Sequence, residues 1–179
     1  AIFYNGQMLG LDLRPVVIKN FINYSLVRLG VEAIDLYQPC RLDGSVPLED
    51  VIGTIADLIG EGKVRHLGVS EITPEQLRKA NSIYPVSALE IGYSLADRQI
   101  EQELLPAARE LGISVVAFAN TAEGLLTGEM KAPLAPGAYQ LHFSRFQGEN
   151  LIKNLEKAEF LKQLAHEKGY TPTQLAIAW

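Results

Sequence analysis

The sequence predicts an α/β fold, in which helices cover a sheet of parallel strands. Short apolar runs that end in polar turns indicate strands buried in such a sheet. Between these runs, apolar residues recur every three or four positions, which is typical of amphipathic helices. A strand and its helix together take roughly 25 to 35 residues, and this alternation indicates an open doubly wound sheet or a (β/α)8 barrel.

Four strands are predicted, each of them an apolar run followed by turn residues. The first run stops abruptly at the polar loop that contains Gln38 and Cys40, so we expect a buried core strand whose carboxyl end opens into a loop. The four runs are IDLY (34–37), VRHLGVS (64–70), SALEIGYS (87–94) and ISVVAFAN (113–120). A loop rich in Gly, Ala and Pro is expected from the end of the fourth run to about residue 149.

Helices are predicted at six places along the chain, which are residues 14–30, 47–63, 73–85, 99–112, 154–169 and 171–179. The third begins with Thr73, Pro74 and Gln76, the pattern of a capping box, and the last repeats this pattern from Thr171. Pro106 is expected to strain or kink the fourth helix. The first two helices should each present one apolar face, made of Ile18, Ile22, Leu26 and Leu29 in one and of Leu48, Val51, Ile52, Ile55, Leu58 and Ile59 in the other.

The two ends of the sequence indicate the middle portion of a larger fold. Residues 1–7 have the composition of a loop that follows a strand, and the last helix stops at Trp179 after barely two turns. A (β/α)8 barrel typically needs about 250 residues, and four parallel strands would leave sheet edges exposed. Because no linker is apparent, we expect residues 1–179 to form a single partial domain.

The overall composition argues against several kinds of function. The chain is 47% hydrophobic and 21% charged with a net charge of −5, and its Lys and Arg residues are scattered, which argues against a nucleic-acid groove. The sequence has neither a signal-peptide pattern at its start nor an apolar run long enough for a membrane helix, so we expect a cytoplasmic protein that binds no membrane. One cysteine and three scattered histidines predict no metal site.

An ordered set of motifs resembles the aldo-keto reductase superfamily. The set is IDLYQPCRLD, EGKVRHLGVSE, the long run from SALEIGYS to ISVVAFA, EGLLTG and RFQGENL, and it covers nearly the whole chain. The likeness is greatest to the branch of pyridoxal-reductase-like enzymes. The resemblance implies a (β/α)8 TIM barrel, of which this chain covers about half to two-thirds of the units, and NADPH-dependent reduction of a small-molecule carbonyl substrate.

The resemblance gives Cys40 a possible catalytic position. In the family the fourth strand usually ends in a histidine that orients and polarises the substrate carbonyl, and Cys40 occupies that place. A thiol is a weaker hydrogen-bond donor than imidazole, so polarisation would rest on other groups. The alternative is that Cys40 is a small buried residue that fills space at a strand end.

The resemblance also implies a set of residues around the cofactor's nicotinamide. Ser70 and Glu71 match the segment that usually hydrogen-bonds the carboxamide, although both could simply begin the next loop. Glu90 stands where the family carries glutamine, and an ionised carboxylate accepts hydrogen bonds but donates none. Phe118 matches the aromatic residue that stacks on the nicotinamide ring, and its alternative is a core aromatic.

A third group matches the turn that meets the cofactor's pyrophosphate. Asn120, Thr121 and Gly124 belong to this turn, whose backbone amides usually contact the phosphates. Glu123 stands where a basic residue is frequent. A carboxylate there would repel a pyrophosphate unless it points away.

Three hypotheses about function stay open at this level. The first is an NADPH-dependent aldo-keto reductase whose Asp, Tyr and Lys would lie before the position of Ala1 and whose clamp for the 2′-phosphate would lie beyond that of Trp179. The second is a non-catalytic nucleotide-binding or regulatory barrel, which the departures at Cys40, Glu90 and Glu123 favour. The third is a structural fragment completed by a partner chain. A homo-oligomer also stays open.

Overall fold

The computed structural model of the protein describes residues 2–4, 7–42 and 44–179. They divide into two compact units, and each is described by itself. The first unit comprises the chain up to residue 91 and residues 99–116, and the second comprises residues 92–98 and 117–179. Whether the 179 residues form one domain stays a prediction.

Two short strands, β1 Ile2–Tyr4 and β2 Gln7–Gly10, come first in the chain, and the next four strands form a sheet in chain order. Their bounds are β3 Ile34–Tyr37, β4 Val64–Ser70, β5 Val86–Gly92 and β6 Ser114–Phe118. β3 pairs with β4 in parallel, and β4 pairs in parallel with β5. The parallel α/β sheet that the alternating pattern predicted is therefore confirmed, with all four strands close to their expected positions.

The core of the first unit lies between this sheet and four helices, of which one precedes β3 and the other three follow β3, β4 and β5. These helices are α1 Pro15–Leu29, α2 Leu48–Gly60, α3 Pro74–Ile83 and α4 Leu104–Glu110. The apolar face of α2 is confirmed in Val51, Ile52, Ile55 and Leu58, whose exposed fraction is 0% in each case. Leu29 departs from its prediction, because it lies in the last turn of α1 and is 66% exposed.

Both predicted capping boxes are present. The Thr73 hydroxyl accepts from the Gln76 backbone N–H at 3.2 Å, and the Gln76 side chain accepts from the Thr73 N–H at 2.9 Å. The same pair of hydrogen bonds joins Thr171 and Gln174 at 3.2 and 2.9 Å. Such a cap satisfies backbone donors that would otherwise have no partner, and it is worth about 1 kcal/mol.

The helix predicted over residues 99–112 does not form as one piece. A 3-10 turn covers Gln99–Glu101, and α4 begins only at Leu104. Pro106 lies in the first turn of α4, where its missing N–H leaves no hydrogen bond unmade and its ring meets no preceding helical turn. Proline thus sets the start of this helix rather than a kink within it.

The first three strands of the chain differ from what the sequence predicted. Residues Ile2–Tyr4 and Gln7–Gly10 form two antiparallel strands, β1 and β2, where a loop was expected; residues 1, 5 and 6 lie outside the described residues. β3 was expected to be buried, yet Asp35 is exposed and Leu36 is 36% exposed. The reason is position, because β3 stands at one edge of the four-stranded sheet.

The second unit is built mainly from two helices and the segment that precedes them. α5 Gly148–Glu167 starts six residues before its predicted position, and α6 is Pro172–Ala178. The expected loop contains three short 3-10 turns, at Leu125–Thr127, Tyr139–His142 and Ser144–Phe146. Phe146 is 1% exposed, and it belongs to the core of this unit together with residues from α5 and α6.

Candidate functional site

The loop after β3 brings Cys40 to the surface. Pro39 is buried, and the Cys40 thiol is free and exposed. The alternative that Cys40 fills space in the interior is therefore wrong. Burial raises the pKa of the nearby Tyr37 phenol, and the charge of Cys40 adds to this effect.

Gln38, the first residue after β3, lies across the neighbouring strand at Gly68. A Cβ atom added to Gly68 would stand 2.4 Å from Cγ of Gln38, 3.0 Å from its Cδ and 3.2 Å from the carbonyl oxygen of Ala88. The Gln38 Nε2 group is buried and has no hydrogen-bond partner in the described structure. A buried donor without an acceptor is costly, which makes it a candidate binding group. No motif in the sequence marks Gln38 as a site residue.

Glu71 follows β4 in a strained backbone conformation, and it makes one backbone hydrogen bond and one ion pair. Its φ is +49°, a region that residues other than glycine rarely adopt. Its backbone N–H donates to the carbonyl oxygen of Glu90 at 2.9 Å, and its carboxylate forms an ion pair with Arg41. The loops after β3 and β4 are thereby joined, and such strain is found preferentially at functional sites.

Ser70 and Glu90 are register partners at the carboxyl ends of β4 and β5. Side chains alternate along a strand. Val69 and Leu89 enter the core on the helix side, so Ser70 and Glu90 belong to the opposite face. Ser70 is 8% exposed and Glu90 is half-buried. Within the described residues Glu90 has no ion-pair partner, so its carboxylate is available to accept hydrogen bonds. The structure thus brings Ser70, Glu71 and Glu90 together.

In the second unit, Phe118 ends β6 with a partly open ring. The residue is 37% exposed, and its ring lies against Gly92, where an added Cβ would be 3.6 Å from two ring atoms. The Tyr93 N–H donates to the Phe118 carbonyl oxygen at 3.1 Å, and the Asn120 side chain donates to the Tyr93 carbonyl oxygen at 3.3 Å. Phe118 is therefore held at its backbone while its ring stays accessible, so it is not the core aromatic of the alternative interpretation.

The turn after β6 has an unusual backbone. Ala119, Ala122 and Glu123 have φ values of +55°, +50° and +53°, and Gly124 follows at +95°. The carbonyl oxygen of Thr121 accepts from Leu126 at 3.0 Å, which closes the turn. Among the described residues, no acceptor is found for the backbone N–H groups of Glu123 and Gly124. Successive free amides in a left-handed turn form a concave site suited to anions.

The Glu123 side chain does not lie free beside this turn. Its side chain is only 16% exposed, and its Oε2 atom is buried 3.9 Å from Nη1 of Arg145. Arg145 also donates to Asp97 at 3.3 Å, and its guanidinium lies 5.5 Å from the ring centroid of Phe143. Arg145 is thus largely buried in an ion-pair network.

A cavity of about 580 Å³ lies within the second unit, between α5, α6 and the turn at Leu125–Thr127. Leu161, Leu164 and Leu175 give it an apolar wall, with Arg145 and Lys157 as its charged residues. This cavity is not apparent in the sequence, because its wall combines residues far apart in the chain.

Comparison with known proteins decides the family. The sequence model of the Aldo/keto reductase family matches residues 8–179. The chain belongs to this family. A probable aldo-keto reductase from Glycine max is 40% identical over 166 residues, which are 92% of this chain and 48% of the relative. An aldo-keto reductase of Schizosaccharomyces pombe, named as NADP(+)-linked, is 36% identical over 176 residues, 96% of this chain and 52% of the relative.

The structural comparison agrees with this family assignment. A glycerol dehydrogenase from Gluconobacter oxydans superimposes with a TM-score of 0.89 and 31% identity, over 94% of this chain and 52% of the other. The chain thus has the α/β barrel fold of the family and corresponds to about half of such a barrel. It spans about half the length of the curated relatives that it matches.

Among residues 2–4, 7–42 and 44–179, which the structure describes, the helices are too short or too polar to span a bilayer. The same residues contain no group of three or more His, Cys, Asp or Glu side chains that could bind a metal ion.

Proposed function

We propose that this chain is part of an oxidoreductase that uses NADPH to reduce an aldehyde or ketone. Membership in a family of reductases supports the reaction class, and the NADP(+)-linked relative supports the choice of cofactor. The observation that carries the proposal for this chain is the turn at residues 119–124. Residues of this turn have positive φ values, and the backbone N–H groups of residues 123 and 124 have no acceptor among the described residues. The Glu123 carboxylate, which would repel phosphates, lies near the Arg145 guanidinium.

The residues of each unit fit part of the cofactor. In the first unit, Ser70 supplies a hydroxyl and Glu90 an unpaired carboxylate, which can accept from the carboxamide N–H groups. In the second, the accessible ring of Phe118 offers a stacking face, and the amides of Glu123 and Gly124 offer donors to phosphate oxygens. NADPH, when bound, supplies the hydride, and the role of these side chains is to bind and orient it.

Cys40 is proposed as the residue nearest the substrate carbonyl. Its exposed thiol is a weak donor, so it can orient a carbonyl oxygen but gives little polarisation. A proton donor must reach the carbonyl oxygen. We propose that this donor is the family's tyrosine, which would come from outside the 179 residues.

The test, made on the full-length protein that contains these 179 residues, is a fluorescence titration with NADPH, followed by loss of NADPH absorbance with a panel of aldehydes and ketones. We expect saturable binding and carbonyl-dependent oxidation of NADPH. Phe118→Ala should weaken NADPH binding about three- to tenfold by loss of stacking. Phe160→Ala removes an equally large ring, 69% exposed on α5 of the same unit, and should not weaken it. Absence of NADPH binding to the unaltered protein would refute the proposal.

A non-catalytic nucleotide-binding protein is the second candidate. The exposed Cys40 at the place of the family's histidine favours it. It predicts saturable NADPH binding without oxidation by any carbonyl. Cys40→His would then leave the protein inactive, whereas the reductase hypothesis expects this substitution to raise the rate of carbonyl reduction.

A further inference from the structure

Glu123 presents a physical problem at the proposed phosphate turn. Its backbone lies among the free amides of residues 123 and 124, so its carboxylate starts next to the place where an anion would bind. A negative charge there opposes a bound pyrophosphate. This inference rests on the proposed function and asks how the chain tolerates an acidic residue in the turn.

Two contacts hold Glu123 in one arrangement. The Gln140 side chain donates to the Glu123 carbonyl oxygen at 3.1 Å and fixes the backbone. The carboxylate turns inward, since its Oε2 atom is buried. Arg145 is the nearest cation, at 3.9 Å from Oε2, and no hydrogen bond satisfies that oxygen within the described structure. The charge of Arg145 is therefore the attraction that the described structure shows for this buried oxygen.

Arg145 is itself held in place. It donates to Asp97 at 3.3 Å, lies against the ring of Phe143, and its carbonyl oxygen accepts a hydrogen bond from the Asn154 side chain at 2.9 Å. Its side chain is 25% exposed. Asp97 and Glu123 thus both neighbour this cation, which also lines the cavity of the second unit.

From this geometry we propose that Arg145 is a positioning residue, which affects cofactor binding only through Glu123. It holds the Glu123 carboxylate away from the turn and offsets its charge, so that the free amides can donate to the pyrophosphate. Without Arg145, a buried carboxylate would have no cationic neighbour, and it would rotate toward solvent and toward the phosphates.

The test is a double-mutant cycle on NADPH affinity, measured by fluorescence titration, with inorganic pyrophosphate as a second ligand. Arg145→Gln should weaken NADPH binding about tenfold, and Arg145→Lys should stay within about threefold of the unaltered protein because it keeps the charge. In the Glu123→Gln background, Arg145→Gln should weaken binding less than about twofold. Pyrophosphate should show the same pattern.

The matched control is Lys153→Gln, which removes one positive charge from α5, where the Lys153 side chain is 66% exposed beside Glu149. It should leave NADPH affinity within about twofold of the unaltered protein. Thermal unfolding of every variant establishes that it is folded before its affinity is interpreted.

The two proposals fail in different ways. If Arg145→Gln weakens binding equally in the unaltered protein and in the Glu123→Gln background, Arg145 contacts the ligand directly or acts only on stability. The inference is then overturned while the proposed function stands. No effect of Arg145→Gln in either background also overturns it. Failure of the unaltered protein to bind NADPH refutes the proposed function itself.

Discussion

The close approach of Gln38 to Gly68 gives a stability prediction whose size can be worked out from distances. In Gly68→Ala the new methyl would stand 2.4 Å from Cγ of Gln38, whereas carbon atoms at optimal separation are about 3.5–4.0 Å apart. Gln38 would have to move by about 1 Å or more, and the carbonyl oxygen of Ala88, at 3.2 Å, limits movement of the strand itself. Overpacking of this kind costs about 1–3 kcal/mol.

Urea unfolding is the assay. Gly68→Ala should lower the free energy of unfolding by about 2 kcal/mol. Gly53→Ala is the control, because Gly53 lies within α2 with no atom within 4 Å of an added Cβ, and the same substitution there should stabilise by about 0.5–1 kcal/mol. In a Gln38→Ala background, where Cγ is gone, Gly68→Ala should cost less than in the unaltered protein. A Gly68→Ala protein as stable as the unaltered one would refute this packing account.

Three further predictions follow from single residues. Thr73→Ala removes the cap that Gln76 shares and should destabilise by about 1 kcal/mol in the same assay; no change would mean that the cap contributes nothing. The pKa of Tyr37 is raised in the folded state. The neutral phenol therefore contributes to the free energy of unfolding below the ordinary pKa of tyrosine, and this contribution is lost as pH rises through the raised pKa of the folded state. Stability should therefore fall at alkaline pH, and less so in Tyr37→Phe; equal alkaline profiles would contradict this. The exposed Cys40 thiol should react with an alkylating reagent in the folded protein, and labelling only after denaturation would contradict its exposure.

Local patterns in the sequence predicted most of the elements because their causes are local. The spacing of apolar residues predicted α2, and the Thr-Pro-x-Gln pattern predicted the starts of α3 and α6. In each case the helix depends on contacts within four residues or on one apolar face. Pro106 shows the limit of this reasoning, because proline both interrupts a helix and suits its first turn, and the pattern alone did not distinguish these effects.

Among the candidate residues, the motif order supplied Ser70, Glu71, Glu90 and Phe118, and their roles stay predictions. Their partners could not be read from the chain. Glu71 pairs with Arg41, 30 residues away, and Glu123 lies near Arg145, 22 residues away by number. The one signal for Gln38 was indirect, since Gly68 inside an apolar strand suggests close approach of another group.

The sequence by itself determined the α/β class, the helix caps and the family to which the chain belongs, since these follow from short-range periodicity and ordered motifs. Only the tertiary structure decided that Cys40 is exposed, that β3 stands at a sheet edge and that Glu123 faces Arg145. The physical reason is that burial and charge pairing depend on which distant segments meet. These contacts depend on the packing of the whole chain, so no single stretch of the sequence predicts them.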